Sequence, residues 1–81
     1  MTEKEKMPKT NRSIYYAEDN SQYIVKSTPD LGILKSLGIV ENARIQKLFT
    51  HRLGGPVLVR VGSSEIAIGK DIAEKIMVGG K

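Results

Sequence analysis

Apolar and polar residues alternate most regularly between Gly54 and Ile68, and this pattern predicts a β-hairpin. Successive side chains of an extended strand point to opposite sides, so alternate residues share a face. The face predicted to be buried carries only β-branched residues: Val57, Val59, Val61, Ile66 and Ile68. Gly62 supplies the backbone freedom that a Gly-Ser-Ser turn needs. A hairpin of this size is only marginally stable alone, so the rest of the chain is expected to cover that face.

Two further elements are predicted upstream of the hairpin. Gln22–Ser27 alternates as a strand, and Pro29 ends it. Leu31, Leu34 and Leu37 then recur at helical spacing. Asp30 is the expected N-cap of this short helix, and Gly38 is the expected left-handed residue after its last turn.

The remaining elements complete a small β domain. Ala43–Thr50 is predicted to be a strand, with a bulge near Gln46–Lys47 because its apolar positions change phase there. Asn42 before it suits a positive φ. A helical turn after Gly69 and a last strand at Ile76–Val78 follow. Together these elements predict a mainly β fold: a five-stranded SH3-like barrel with one short helix after the first strand and a helical turn before the last.

The barrel is assigned to residues 21–78, which leaves segments at both ends. Residues 1–20 begin with a charged, aperiodic stretch and are predicted to be a flexible N-terminal extension. Within this extension, Ile14, Tyr15 and Tyr16 either dock on the barrel or await a partner, and docking is favoured. Residues 79–81 are expected to fray.

Composition places the chain among small single domains. It has 81 residues, of which 40% are hydrophobic, and it contains no cysteine. Small secreted domains usually need disulfides, so a reducing, intracellular environment is expected. No run approaches the roughly 18 apolar residues of a membrane span, and the N-terminus lacks the apolar region of a signal peptide.

The net charge is +4, and the excess of basic residues lies after residue 21. A modest, scattered excess is most often a solvated surface, with an acidic protein or a nucleic acid as the alternative partners. A basic stripe on neighbouring strands would be formed by Arg44, Lys47, Arg52 and Arg60. Nucleic-acid binding also requires exposed aromatic residues, and only Phe49 is near, so the signal is weak.

The candidate catalytic and metal-binding residues lack the neighbours that their chemistry requires. Gly69-Lys70 resembles part of a phosphate-binding loop, but Ser64 and Asp71 stand where that loop requires Gly and Ser or Thr. His51 is the only histidine, and no converging ligands are predicted beside it. Ser63 and Ser64 are turn residues without an oxyanion-hole motif. We therefore expect no enzyme activity, no cofactor and no metal site.

A protein-binding surface is the better prediction. Leu58 points away from the core valines, beside Arg60 on the same outer face of the hairpin. Leu53 lies at a loop tip, where an apolar side chain has little internal use. The candidate partner-binding residues are His51, Arg52, Leu53, Leu58 and Arg60. Arginine beside exposed aliphatic residues is a common interface composition, although scattered exposed leucines are also normal.

Three segments resemble the FeoA family of the bacterial ferrous iron uptake system: Asp30–Ile39, Gly54–Val57 and Glu65–Val78. They share the order Leu-Gly-Ile, strand, Gly-Gly-Pro-Val, Ile-Ala-Ile and Ala-x-x-Ile. The resemblance runs from Tyr23 to Val78 and leaves the N-terminal extension outside. The family often has Pro-Gly where this chain has Glu-Asn, but Asn42 tolerates the same left-handed geometry.

This resemblance implies an SH3-like barrel and a cytoplasmic bacterial protein that binds and modulates the cytosolic GTP-binding portion of the FeoB ferrous transporter. It implies no catalytic residue, and no metal ligand is transferred. A related domain ends the metal-dependent repressors of the diphtheria-toxin-repressor type. This chain lacks their helix-turn-helix, so direct regulation of DNA is not expected. The alternative function is a small basic barrel that binds nucleic acid or another regulatory partner.

Overall fold

The computed structural model describes residues 12–80, which form six strands and two short helices. In chain order these are β1 (Arg12–Ser13), β2 (Ser21–Ser27), α1 (Gly32–Ser36), β3 (Arg44–Thr50), β4 (Val57–Val61), β5 (Ser64–Ile68), α2 (Lys70–Ala73) and β6 (Met77–Gly79). The mainly β prediction is confirmed, as are the short helix before β3 and the helical turn before the last strand. The strand count is six rather than five because β1 pairs with β6.

All six strands belong to one antiparallel sheet with the order β1-β6-β2-β3-β4-β5. The predicted five-stranded SH3-like barrel is observed as one unclosed sheet of six strands, because β1 and β5 lie at its opposite edges in the described part of the chain. The last strand, β6, inserts between β1 and β2, and within residues 12–80 β5 has a partner strand on one side only. Within residues 12–80, no helix has the length and apolar character needed to cross a membrane.

The core lies on one face of this sheet and is almost entirely aliphatic. Val57 and Val59 are both fully buried, as the alternation in the hairpin predicts. The other core residues come from every part of the fold: Ile14, Tyr15, Ala17, Val25, Leu34, Ile39, Ile45, Ile68, Ala73, Ile76 and Val78. The turn of the hairpin is shorter than predicted, because Ser64 already pairs with Val61 as the first residue of β5.

The sequence predicts the end of helix α1 correctly, but not its beginning. Asp30 is not the N-cap: Leu31 occupies that position in an extended conformation, without a side-chain cap. The Leu31 amide donates to Pro29 O at 2.9 Å in a tight turn, and the helix begins one residue later than predicted. At the other end Gly38 adopts φ +85° as predicted. The amide of Ile39 then donates to Leu34 O at 2.9 Å, which is the bond that defines a Schellman C-terminus.

The bulge in β3 lies one residue beyond its predicted position. Lys47 pairs with Val59 and Phe49 pairs with Leu58, so Leu48 is the additional residue. This shift keeps Ile45 and Lys47 on the core face and turns Phe49 to the outer face. A bulge at Gln46–Lys47 would have placed the lysine outside, as sequence reasoning favours for a charged side chain.

The N-terminal segment (residues 14–19) packs on the sheet. Ile14 is completely buried, and its amide donates to Ile76 O at 2.8 Å. Tyr15 is buried as well, whereas Tyr16 is exposed, so docking holds for the first two residues of Ile14–Tyr16. Residues 12–20, predicted to be part of a flexible extension, contact the rest of the fold: Arg12 and Ser13 pair with β6, and Ile14, Tyr15 and Ala17 are buried. Residues 1–11 and 81 lie outside the described residues, and Gly79, predicted to fray, is buried in β6.

Candidate functional site

The outer face of the sheet carries an apolar row across β3, β4 and β5. Phe49 pairs with Leu58, and Leu58 pairs with Ala67, so the three side chains are neighbours on one face. Phe49 is 40% exposed, Leu58 is half-buried, and Ala67 is exposed. Leu58 therefore points away from the core, as predicted, and it has apolar neighbours on both sides.

A polar row lies beside the apolar row, two residues away along β4 and β5 and three residues away along β3, where the bulge adds one. Gln46 pairs with Arg60, which in turn pairs with Glu65. The Arg60 guanidinium donates to the Glu65 carboxylate in an ion pair that is about half exposed on both sides. Exposed pairs of this kind contribute only about 0–1 kcal/mol to stability. The outer face thus places a charged row against an apolar one.

The loop from His51 to Pro56 extends this outer face beyond the end of β3. The His51 ring packs edge-on against Phe49, with the ring centroids 4.9 Å apart. The loop is closed by the His51 amide, which donates to Pro56 O at 2.9 Å. Gly55 is needed for this closure, because a Cβ there would lie 2.8 Å from the Cβ of His51.

Leu53 lies at the tip of this loop, beside Arg52, and its side chain is fully exposed. It also adopts φ +60°, a left-handed conformation that is unfavourable by about 1–2 kcal/mol for a residue with a Cβ. Neither burial nor backbone conformation within residues 12–80 favours a leucine at this position.

Lys47 lies on the opposite, inner side of β3 and is 2% exposed. Its ammonium donates to Tyr15 O at 2.8 Å and to Ala17 O at 2.6 Å, and it lies 3.5 Å from the Asp19 carboxylate. Burial lowers the pKa of Lys47, and the Asp19 charge opposes this shift. The predicted basic stripe is therefore wrong at Lys47, because its charge is used to hold the N-terminal segment.

Tyr15 links this buried lysine to the loop on the other side. While its carbonyl accepts from Lys47 and from the Thr50 hydroxyl, its own hydroxyl donates to Gly55 O at 2.7 Å. The base of the His51–Pro56 loop is thus supported by the N-terminal segment, which Lys47 holds in place. Sequence reasoning missed this support, because all of its partners are distant along the chain.

The structure brings together some of the predicted partner-binding residues and adds one. Leu58 and Arg60 lie on adjacent rows, and His51 joins them through Phe49. Arg52 and Leu53 follow His51 at the loop tip. Phe49 is the added residue, since it is not among the partner-binding residues predicted from the sequence. The phase change in β3 was the available signal, since a bulge at Leu48 turns Phe49 outward.

Among residues 12–80, no three histidine, cysteine or carboxylate side chains converge as a metal site would require. His51 is exposed, and its ring rests on Phe49. The described site is therefore a surface that combines apolar, aromatic and arginine side chains, and such a surface is typical of protein recognition.

Comparison with solved structures defines the class of fold. The chain is similar to a FeoA crystal structure named as an iron uptake regulatory protein, with 30% identity over 85% of this chain and 94% of that one and a TM-score of 0.76. It is also similar to zinc-bound FeoA of Stenotrophomonas maltophilia, an SH3 domain protein, with 23% identity over 82% of this chain and 87% of that one (TM-score 0.69). The fold is therefore SH3-like.

The FeoA domain model matches residues 17–79. This chain belongs to the FeoA domain family, as the resemblance in the sequence predicts. The family match begins inside the N-terminal segment, earlier than the predicted domain boundary at residue 21. No curated protein sequence shows significant similarity to the chain.

The same fold also occurs as part of longer proteins. A manganese-dependent transcriptional repressor matches with a TM-score of 0.80 and 22% identity, over 94% of this chain but only 45% of the repressor. At this identity the likeness concerns the fold alone. The chain corresponds to less than half of that protein.

Proposed function

We propose that this protein is a non-catalytic, cytoplasmic accessory protein of bacterial ferrous iron uptake that binds the cytosolic GTP-binding portion of a FeoB transporter and modulates it. Membership of the FeoA family supports this proposal. The FeoA of Stenotrophomonas maltophilia has itself been put forward as a ferrous iron transport activating factor. The observation that carries the proposal is the apolar row on the outer face of the sheet.

We call the proposed binding surface the docking patch and define it as Phe49, His51, Arg52, Leu53, Leu58 and Arg60. It combines aromatic, aliphatic and arginine side chains, which are common anchors at protein interfaces. Leu53 is its most informative member, because full exposure and a left-handed backbone both disfavour leucine. Contact with a partner supplies the burial that this side chain lacks in the isolated chain.

Nucleic-acid binding has less support as an alternative. Lys47 is buried, and Arg60 is already paired with Glu65, so two of the four residues of the basic stripe are engaged. Affinity for nucleic acid depends on the number of phosphates that are neutralised. Arg44 and Arg52 alone are a small set for that purpose.

The test is to titrate isotope-labelled protein with the GTP-binding domain of FeoB from the same organism and to record the chemical shifts of the backbone amides. We expect the largest shifts in β4 and in the His51–Pro56 loop. Leu58→Asp should abolish them, because it places a charge in the centre of the apolar row. The matched control is Ile33→Asp, the same kind of change on the exposed side of α1.

Three results would contradict the proposal. Binding that survives Leu58→Asp would remove the docking patch from the interface. Equal loss of binding in Leu58→Asp and Ile33→Asp would mean that the effect is not specific to the patch. The absence of any shift with GDP-bound or GTP-bound domain would contradict the partner itself.

A further inference from the structure

A polar groove of about 230 Å³ opens on the outer face, across β2, β3 and β4. Its lining residues are Gln22, Arg44, Ile45, Gln46, Arg60 and Gly62. The strand register explains this grouping, because Gln22 pairs with Gln46 and Gln46 pairs with Arg60. A second groove of about 270 Å³ continues from Gln22 and Arg44 over Tyr23 and Ile24.

The space in the groove arises where the sheet lacks a side chain. Arg44 and Gly62 both line the groove, each two residues away from the last cross-strand pair of β3 and β4, Gln46–Arg60, and a Cβ added at Gly62 would meet no atom within 4 Å. Glycine has no side chain to fill that position, and its φ of +62° is the conformation that the hairpin turn requires. The guanidinium of Arg44 is therefore left beside an open space rather than a packed neighbour.

The polar groups of the groove have unused hydrogen-bonding capacity. Arg44 makes no ion pair and no side-chain hydrogen bond with any residue from 12 to 80. The side chains of Gln22 and Gln46 likewise make no hydrogen bond within that range. Arg60 engages Glu65 through one guanidinium nitrogen, although a guanidinium has five N–H donors. The groove is thus rich in unpaired donors and carries positive charge.

We propose that this groove binds a carboxylate side chain of an acidic segment in a partner protein. Arg44 makes the principal contact, Arg60 adds a second guanidinium, and the amides of Gln22 and Gln46 complete the donor set. The planar guanidinium fork matches a carboxylate in a bidentate manner, and such charge-assisted bonds are roughly twice as strong as neutral ones. Charge complementarity therefore identifies the occupant.

The position of the groove adds a spacing requirement for the segment. Leu58 precedes Arg60 by two residues on the outer face of β4, which is about 7 Å along the strand. An extended segment with an acidic residue two positions from a bulky apolar residue spans the distance from Leu58 to Arg60, which is at the end of the groove nearer to the apolar row. In this form the inference rests on the proposed function, since it supplies the chemistry of the segment that the docking patch receives.

A nucleic-acid phosphate chain fits the groove less well than a carboxylate. Polyanion binding gains affinity from many cationic contacts along the backbone. This groove has two guanidiniums, and the carboxylate of Glu65 lies against one of them. A single carboxylate can be bound by the one or two guanidiniums that the groove contains.

The probe is a short extended peptide, blocked at both ends, with one glutamate two residues from a leucine. The labelled full-length protein is titrated with it, and a glutamine-for-glutamate peptide is the matched ligand control. We expect amide shifts at Arg44–Gln46 and at Gly62. Arg44→Gln should weaken binding about tenfold, the value of one charge-assisted hydrogen bond. The glutamine peptide should bind wild-type protein with the same loss, and the two changes together should lose little more.

Lys75→Gln is the control for net charge, because Lys75 is exposed and does not line the groove. It should change the affinity less than about twofold. Equal affinity for the glutamate and glutamine peptides would overturn the proposal. So would an oligonucleotide that binds in an Arg44-dependent manner while the peptide does not bind.

The same variants separate this inference from the proposed function. If the GTP-binding domain binds wild-type and Arg44→Gln equally but does not bind Leu58→Asp, the docking patch holds and the groove is wrong. If the peptide binds in an Arg44-dependent manner but the GTP-binding domain does not bind at all, the groove holds and the proposed partner is wrong.

Discussion

Replacing Lys47 with methionine removes the ammonium that holds the N-terminal segment and keeps most of the aliphatic volume of the side chain. The carbonyls of Tyr15 and Ala17 then lose a charged donor. Tyr15 O retains the hydroxyl of Thr50 at 2.9 Å. Ala17 O has no other donor among residues 12–80, so its hydrogen bond is the one left unmade.

The expected loss follows from these two bonds. A hydrogen bond to a charged group contributes about 1.5–3 kcal/mol, and one of the two carbonyls keeps a partner, so we expect Lys47→Met to lower the free energy of unfolding by about 2–4 kcal/mol. A domain of 81 residues has a total stability of roughly 4–12 kcal/mol. The variant should therefore melt roughly 10–30 °C below the wild-type protein.

Urea denaturation followed by circular dichroism measures the global effect, and hydrogen exchange measures the local one. The amides of Tyr16 and Ala17 both donate to Ser13 O, at 3.1 and 3.0 Å, and should lose protection first. Lys26→Met, at an exposed position of β2, is the matched control and should change stability by about 0.5 kcal/mol or less.

The opposite outcome has a clear physical meaning. Replacing a buried charge with an apolar group can be neutral or stabilising when the desolvation penalty exceeds the gain from its partners. A loss smaller than about 1 kcal/mol, with unchanged protection at Tyr16 and Ala17, would show that Ile14 and Tyr15 hold the segment by apolar burial alone. The role assigned to the Lys47 ammonium would then be wrong.

Three further predictions concern pH and backbone conformation. Burial lowers the pKa of Lys47, so the unfolded chain binds the Lys47 proton more tightly than the folded chain does. The stability of the wild-type protein relative to Lys47→Met should therefore rise as the pH increases towards 10.5, the pKa in the unfolded chain. Urea denaturation at a series of pH values measures this rise. Gly38→Ala should lose about 1–3 kcal/mol in thermal melts, because φ is +85° and Val61 Cγ1 lies 3.4 Å from the new Cβ. Leu53→Gly should retain full stability but weaken binding of the GTP-binding domain; a stability loss above about 1 kcal/mol would mean that Leu53 packs on its own chain.

The local features of this fold could be predicted from sequence because each depends on a few neighbouring residues. Alternating valines predict the buried face of the hairpin. A positive φ is predicted at Gly38 and Asn42, and the structure shows +85° and +72° at these residues. The short helix and the final helical turn follow from apolar spacing and glycine positions. Family membership was likewise evident from sequence, since the Leu-Gly-Ile and Gly-Gly-Pro-Val segments stand in their expected order.

The candidate site was only partly predictable. Leu58 and Arg60 follow directly from alternation within β4. Phe49 does not, because its orientation depends on which residue of β3 forms the bulge, and the register with Val59 and Leu58 decides that. The pairing of Arg44 with an open groove likewise requires knowledge of which strands are neighbours.

Lys47 shows the difference between features that neighbouring residues dictate and features that depend on contacts across the whole fold. Alternation, turn residues and capping determine where strands and helices lie, because these effects act over a few residues. Whether a lysine is solvated or buried depends on partners that are remote in sequence, here the carbonyls of Tyr15 and Ala17, 32 and 30 residues away. An ammonium can leave water only where such acceptors are already in place. The packed N-terminal segment and the inward orientation of Lys47 therefore depend on each other, and only the complete fold supplies both.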